Sequence, residues 1–221
     1  MKLSGKKRLI ELEVFGALIF VATLNILIFA SLSQNRGGGW ETFMQSLQDA
    51  LMIYGTFFVV TLFIILIDKK DLLKYVFYGL LTIITGRIYI SLYSLVSDKS
   101  INTNGQAILS DAFLIWIASI MVFGMWYWLV DRGGPIARNT ESNETRYDLL
   151  FPQYQAHIPG WDHWHPKFWD YVFFSFFTST GFSPADTLPL TKRIKTLMML
   201  EASLSLVIIG MVASRAISLL Q

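Results

Sequence analysis

The run Trp169-Asp-Tyr-Val-Phe-Phe-Ser-Phe-Phe-Thr-Ser-Thr180 decides how the chain is read. It is apolar, yet too short to cross a bilayer, which takes about 20 residues of helix. A polar bend follows, Gly181-Phe-Ser-Pro-Ala-Asp-Thr-Leu-Pro189, and then a long apolar stretch from Lys192 to Leu219. That last stretch has length to spare. A half-length helix, a bend and a full-length helix in series predict a re-entrant segment ahead of a final span.

Working outward, four more apolar runs precede it: Ile10 to Ser33, Leu47 to Ile67, Leu72 to Val96, and Ile108 to Val130. The pattern predicts an all-α membrane protein with about five transmembrane helices plus a short re-entrant, pore-like helix before the last one. Three regions follow: residues 1–131 as a four-helix transmembrane region, 132–165 as a polar and then Trp/His-rich connection, and 166–221 as the re-entrant helix, turn and final span. The first run is longer than a signal-peptide core and is read as a retained span; cleavage near Ala30 is the alternative.

Composition agrees. The chain is 53% hydrophobic and 15% charged, well under the quarter or so of charged residues in soluble domains. It has no cysteine, which excludes disulfides, thiol catalysis and cysteine-based metal sites. Its basic residues sit at the ends of apolar runs rather than along one folded stripe, so the expected partner is the lipid bilayer and not a nucleic acid.

The same residues set an orientation. Alternate loops collect Lys2, Lys6, Lys7 and Arg8, then Lys69, Lys70 and Lys74, then the basic residues from Arg132 to Lys195. The opposite side holds only Arg36, Lys99 and Arg215. The bias predicts a cytoplasmic N-terminus and puts the half-length run on the cytoplasmic side of a plasma (inner) membrane.

Among the charges within or beside apolar runs, Arg87, Asp111 and Glu201 stand out. A charge inside the bilayer is costly unless paired or wetted, so Arg87 is expected to find Asp111 or Glu201, as a structural pair or as part of a wetted path. Gly210 and Ser214 form a small-x-x-x-small step suited to close helix packing, with a gating hinge as the sharper alternative. His157, His163 and His165 cluster near Asp162, but lack helical i,i+4 spacing and a fourth ligand, and Trp161, Trp164 and Trp169 read more simply as an interfacial belt. No catalytic constellation frames the many hydroxyls around Ser175. The chain is therefore read as neither an enzyme nor a holder of metal or cofactor.

Two resemblances enter here. Trp126-Tyr-Trp-Leu-Val-Asp-Arg-Gly-Gly-Pro135, Asp148-Leu-Leu-Phe-Pro-Gln153 and Phe177-Thr-Ser-Thr-Gly-Phe-Ser-Pro-Ala-Asp186 resemble an uncharacterised bacterial integral membrane family. That resemblance implies an inner-membrane location and no particular activity. The part from Trp169 onward also resembles the two-helix pore module of potassium channels. Laid on that pattern, Thr178, Thr180, Gly181, Phe182, Ser183 and Asp186 take the pore-lining places. Ser183 and Ala185 stand where the channel filter has glycines, and Pro184 fixes its own φ, so potassium selectivity does not carry over.

The resemblance implies a homo-oligomer, a tetramer if a true pore, passing small ions, with cations favoured by Asp186. The alternative is a non-conducting membrane scaffold or regulatory subunit that keeps the pore-like fold. An intramembrane metal-dependent enzyme stands third.

Overall fold

The computed structural model describes residues 16, 19–23, 25–26, 40–66, 72–97, 105–135, 138, 146–155, 164–181 and 186–218. The described elements are α1 (Trp40–Leu66), α2 (Leu73–Ser97), α3 (Gly105–Val130), a 3-10 turn (Asp131–Gly133), β1 (Leu149–Leu150), α4 (Pro152–Gln155), α5 (Phe168–Thr180), β2 (Leu188–Pro189) and α6 (Lys192–Ser218). Among the described residues three helices are long and apolar enough to cross a membrane: Lys74–Val96, Ile108–Gly133 and Lys192–Ser214. The fold is thus mostly helical and compatible with a multi-pass membrane protein. Most of the first apolar run lies outside the described residues, although its residues 19–23 are helical. The second run begins earlier than its apolar stretch predicts, because the helix starts at Trp40 and takes in polar turns before Leu47.

These helices have no single wet face. On α2, Tyr75, Ile90 and Tyr93 are exposed, and on α6, Met199, Leu206 and Ile209 are exposed. Outward apolar side chains suit lipid as the surrounding medium.

The chain forms two compact units, one of residues 1–20 and 120–207, the other of 21–119 and 208–221. In the second, α1 packs on α2, and the first half of α3 buries Ile108, Ala112, Ile115 and Ala118. A groove there is lined by Leu109, Phe113, Trp116, Ile208, Ile209 and Val212. Its walls are apolar, which suits acyl chains rather than an ion.

The first unit holds the last turns of α3, the short strands, α5 and the first half of α6. Its core is aromatic: Tyr127 stands edge-on to Phe174 at 4.8 Å, Trp128 meets Phe168 at 5.5 Å, and Phe151 meets Tyr171 at 5.4 Å. The backbones of α3 and α5 approach closely at Gly124, where a Cβ would lie 3.0 Å from the Cα of Val172. The two helices run antiparallel, since Asp131 meets Tyr171 at one end and Ile120 meets Ser175 further along.

Candidate functional site

Two polar clusters lie among the described residues of the first unit. The outer one is a knot at the end of α3. There the chain reverses through Arg132, Gly133 and Gly134, at φ of 52°, 77° and 98°. Glycine tolerates this left-handed turn freely; Arg132 is held in it by the buried Asp148 carboxylate, which accepts its N–H at 2.9 Å.

Asp131 and Asp148 organise the knot between them. Oδ2 of Asp131 accepts from the Tyr171 phenol at 2.6 Å and from Arg138 Nη1 at 3.0 Å, and its Oδ1 accepts from the Leu149 N–H at 3.2 Å. Arg138 Nη1 also donates to the Tyr171 oxygen at 2.5 Å. The Arg138–Asp131 pair is sealed, each side chain being 1% exposed. Asp148 accepts from Thr191 Oγ1 at 2.7 Å and twice from Arg193 Nη2 at 3.0 Å. Its backbone carbonyl takes the Leu190 N–H at 2.9 Å, beside the antiparallel pairing of Leu149 with Pro189 and Leu150 with Leu188.

Asp148 has an electrostatic role as well. The first turns of α6 carry Lys192, Arg193 and Lys195, the wrong sign for a helix N-terminus, and a carboxylate there offsets them. On α5 the sign is favourable from the start. Asp170, in its first turn, accepts the Lys167 N–H at 2.6 Å.

The knot therefore ties together the first turns of both α5, through Tyr171, and α6, through Thr191 and Arg193. Deeper along the same two helices they meet again. The carboxyl of Glu201 on α6 contacts the hydroxyl of Ser175 on α5, and the Tyr127 phenol of α3 donates to its Oε2 at 2.6 Å. Ser175 Oγ donates to the carbonyl of Ile120 at 2.8 Å. Glu201, Ser175 and Tyr127 are each 0% exposed. This inner cluster lies about 12 Å along α6 from Arg193, at 1.5 Å per residue.

The residues expected from the sequence fall as follows. Thr178 is buried on α5, near the Tyr127 phenol, and its hydroxyl donates to the Phe174 carbonyl at 2.9 Å. Thr180 donates to the Phe177 carbonyl at 3.1 Å. Gly181 is exposed and caps α5 in the left-handed conformation, at φ 74°. Asp186 is exposed and accepts from Thr187 Oγ1 at 3.3 Å. Phe182 and Ser183 lie outside the described residues, as do His157, Asp162 and His163. No cluster of three or more metal-ligating side chains occurs among the described residues.

Both oxygens of Glu201 are met by hydroxyls, those of Tyr127 and Ser175, within the first unit. Arg87 and Asp111 belong to the second unit, where Arg87 is half-buried with its charge near the Tyr54 phenol, and Asp111 is buried on α3. Gly210 and Ser214 are exposed on α6, and open space surrounds Gly210. Residue patterns missed Tyr127, Asp131, Asp148 and Tyr171. The available signal was two acids, Asp131 and Asp148, each flanking an apolar segment beside an arginine or a turn.

Searches against protein-family models, curated proteins and solved structures give no match for this chain.

Proposed function

We propose that this chain is a five-span bacterial inner-membrane protein, N-terminus in the cytoplasm, whose α5 is a re-entrant half-helix and whose α5–α6 segment is a pore module. Copies would assemble around an axis, as a tetramer, to pass small ions. The observation that carries the reading is the shared knot. With 13 residues, α5 extends only about 20 Å, against a hydrocarbon core of about 30 Å. It starts at the knot through Tyr171, and the chain is back at the knot by Leu190 and Thr191. A segment that leaves and returns to one level without crossing is what a pore loop requires.

In this reading the tip of the half-helix, Thr180 and Gly181, forms the constriction, and exposed Asp186 favours cations near its mouth. The absence of cysteine makes the geometry directly testable. Lys167→Cys and Leu190→Cys, both at exposed positions, should label from the same face of sealed membranes; labelling from opposite faces would end the re-entrant reading. Conduction is tested with purified protein in planar bilayers. A cation current weakened by Asp186→Asn and Thr180→Ala supports the pore, and absence of current counts against it.

A second reading is a non-conducting scaffold or regulatory subunit. It is favoured by the hydroxyls of Thr178 and Thr180, which are already bonded to carbonyls of their own helix. It predicts a monomer or closed dimer with no axial cavity, which electron microscopy in nanodiscs would reveal.

A further inference from the structure

The inner cluster contains more acceptors than an ionised Glu201 would allow. A serine hydroxyl has one proton to donate, while a carboxylate and a carbonyl can only accept. Ser175 Oγ contacts both the Ile120 carbonyl and Glu201 Oε1. If Glu201 were ionised, one hydrogen would have to serve two acceptors. If Glu201 carries a proton on Oε1, every partner is matched. Tyr127 then donates to Oε2, Glu201 donates to Ser175, and Ser175 donates to Ile120.

The surroundings agree. Among the described residues the hydrogen-bond partners of the Glu201 carboxyl are Tyr127 and Ser175, both uncharged. An unpaired ionised carboxylate sealed from water inside a membrane bundle is among the most costly arrangements a fold can hold.

We propose that Glu201 is a proton-binding site, its ligand a proton held between Oε1 of Glu201 and Oγ of Ser175 where α3, α5 and α6 meet. The proton is also a fastener, because it lets Ser175 of α5 bond to α6 and to α3 at once. Losing it leaves Ser175 with one hydrogen for two acceptors, so on proton release α5 can keep its bond to Glu201 on α6 or to the Ile120 carbonyl on α3, but not both. Among the described residues, few other titratable groups face the site. On α3 there is Tyr127. On α5 there are the Ser175 and Thr178 hydroxyls, and Tyr171, one turn nearer the knot and bonded to Asp131 and Arg138. On α6 the nearest charges are Lys195 and Arg193 at its exposed start. The inference does not depend on conduction.

Infrared spectroscopy of the purified protein in nanodiscs at neutral pH tests it. The wild type should show a carboxylic-acid carbonyl band, sensitive to exchange into D2O, that is missing in Glu201→Gln. Tyr127→Phe, which removes the donor to Oε2 but keeps the acid, should move that band to higher wavenumber. Glutamine reproduces the neutral acid, with its NH2 donating to Ser175 and its carbonyl accepting from Tyr127, so the variant should fold. Identical acid-region spectra for wild type and Glu201→Gln overturn the proposal. Should Glu201→Gln fail to fold, Tyr127→Phe decides alone, and an unshifted band overturns it.

Discussion

The Tyr171 phenol donates to the Asp131 carboxylate at 2.6 Å, and both side chains are closed off from solvent. One bond thereby couples the first turn of the half-helix to the end of α3, with Arg138 on the same carboxylate oxygen. A buried charge pair of this kind specifies geometry more than it adds stability. Its worth here is that it fixes where α5 starts.

Removing one partner should therefore be severe and removing both less so. Asp131→Leu leaves Arg138 buried without its counter-charge, and should cost about 3–5 kcal/mol. Adding Arg138→Met should recover the part of that loss due to the unpaired charge, while the Tyr171 phenol and the Leu149 N–H still lack their acceptor. The measurement is unfolding of the detergent-solubilised protein, followed by tryptophan fluorescence. Simple additivity of the two substitutions would mean that the pair is not a coupled unit.

The two ends of the Asp148–Arg193 pair should respond unequally. Asp148 is buried, while the Arg193 side chain is 63% exposed. Arg193→Ala removes a solvent-screened partner and should cost less than about 1 kcal/mol. Asp148→Ala also frees the Arg132 N–H and the Thr191 hydroxyl; each buried group left unsatisfied costs about 1–3 kcal/mol. Equal losses for the two variants would contradict this account.

The helices were legible in the sequence because length and apolar content are local properties. The runs at 72–96, 108–130 and 192–219 became α2, α3 and α6 with ends shifted by a few residues, and the half-length run became α5. The polar sites were not legible, because pairing depends on which helix faces meet. A helix that is apolar all round gives no periodicity from which to read that. Glu201 reads from the sequence as a charge in need of a counter-charge, and nothing in that pattern points to Tyr127 and Ser175, which bond to it. Arg138 and Arg193 counted only as markers of orientation, yet both are ion-pair partners. Thr178 stands out in the sequence for its place in a pore-like motif, and its neighbours, the Tyr127 phenol and the Phe174 carbonyl, could not be read from that motif.

Tyr154, on the short α4, gives a pH signature outside the spanning helices. Burial pushes its phenol above the usual tyrosine value, with the charges of Arg138 and Arg132 opposing. A group whose value is raised on folding contributes stability that is complete below its unfolded value, about 10. That stability is lost as pH rises through the folded value. Tyr154→Phe should remove one late-titrating step from the alkaline phenolate absorbance curve and flatten the fall in stability above that pH. A phenolate appearing at the ordinary pH would refute the burial effect.

Two glycines on the long apolar helices should behave in opposite ways. At Gly124 a Cβ would press against the Val172 backbone at 3.0 Å, whereas at Gly210 nothing lies within 4 Å. Gly124→Ala must push α3 from α5, and overpacking of this kind costs about 1–3 kcal/mol. Gly210→Leu should leave the protomer's unfolding unchanged, because the residue is exposed on α6. Gly210 and Ser214 nevertheless form a small-x-x-x-small step, the pattern that lets a second helix approach closely. If copies assemble through α6, Gly210→Leu should reduce the oligomer to smaller species in native mass spectrometry while the melting curve stays put. An oligomer untouched by leucine at this position would place the contact between copies elsewhere.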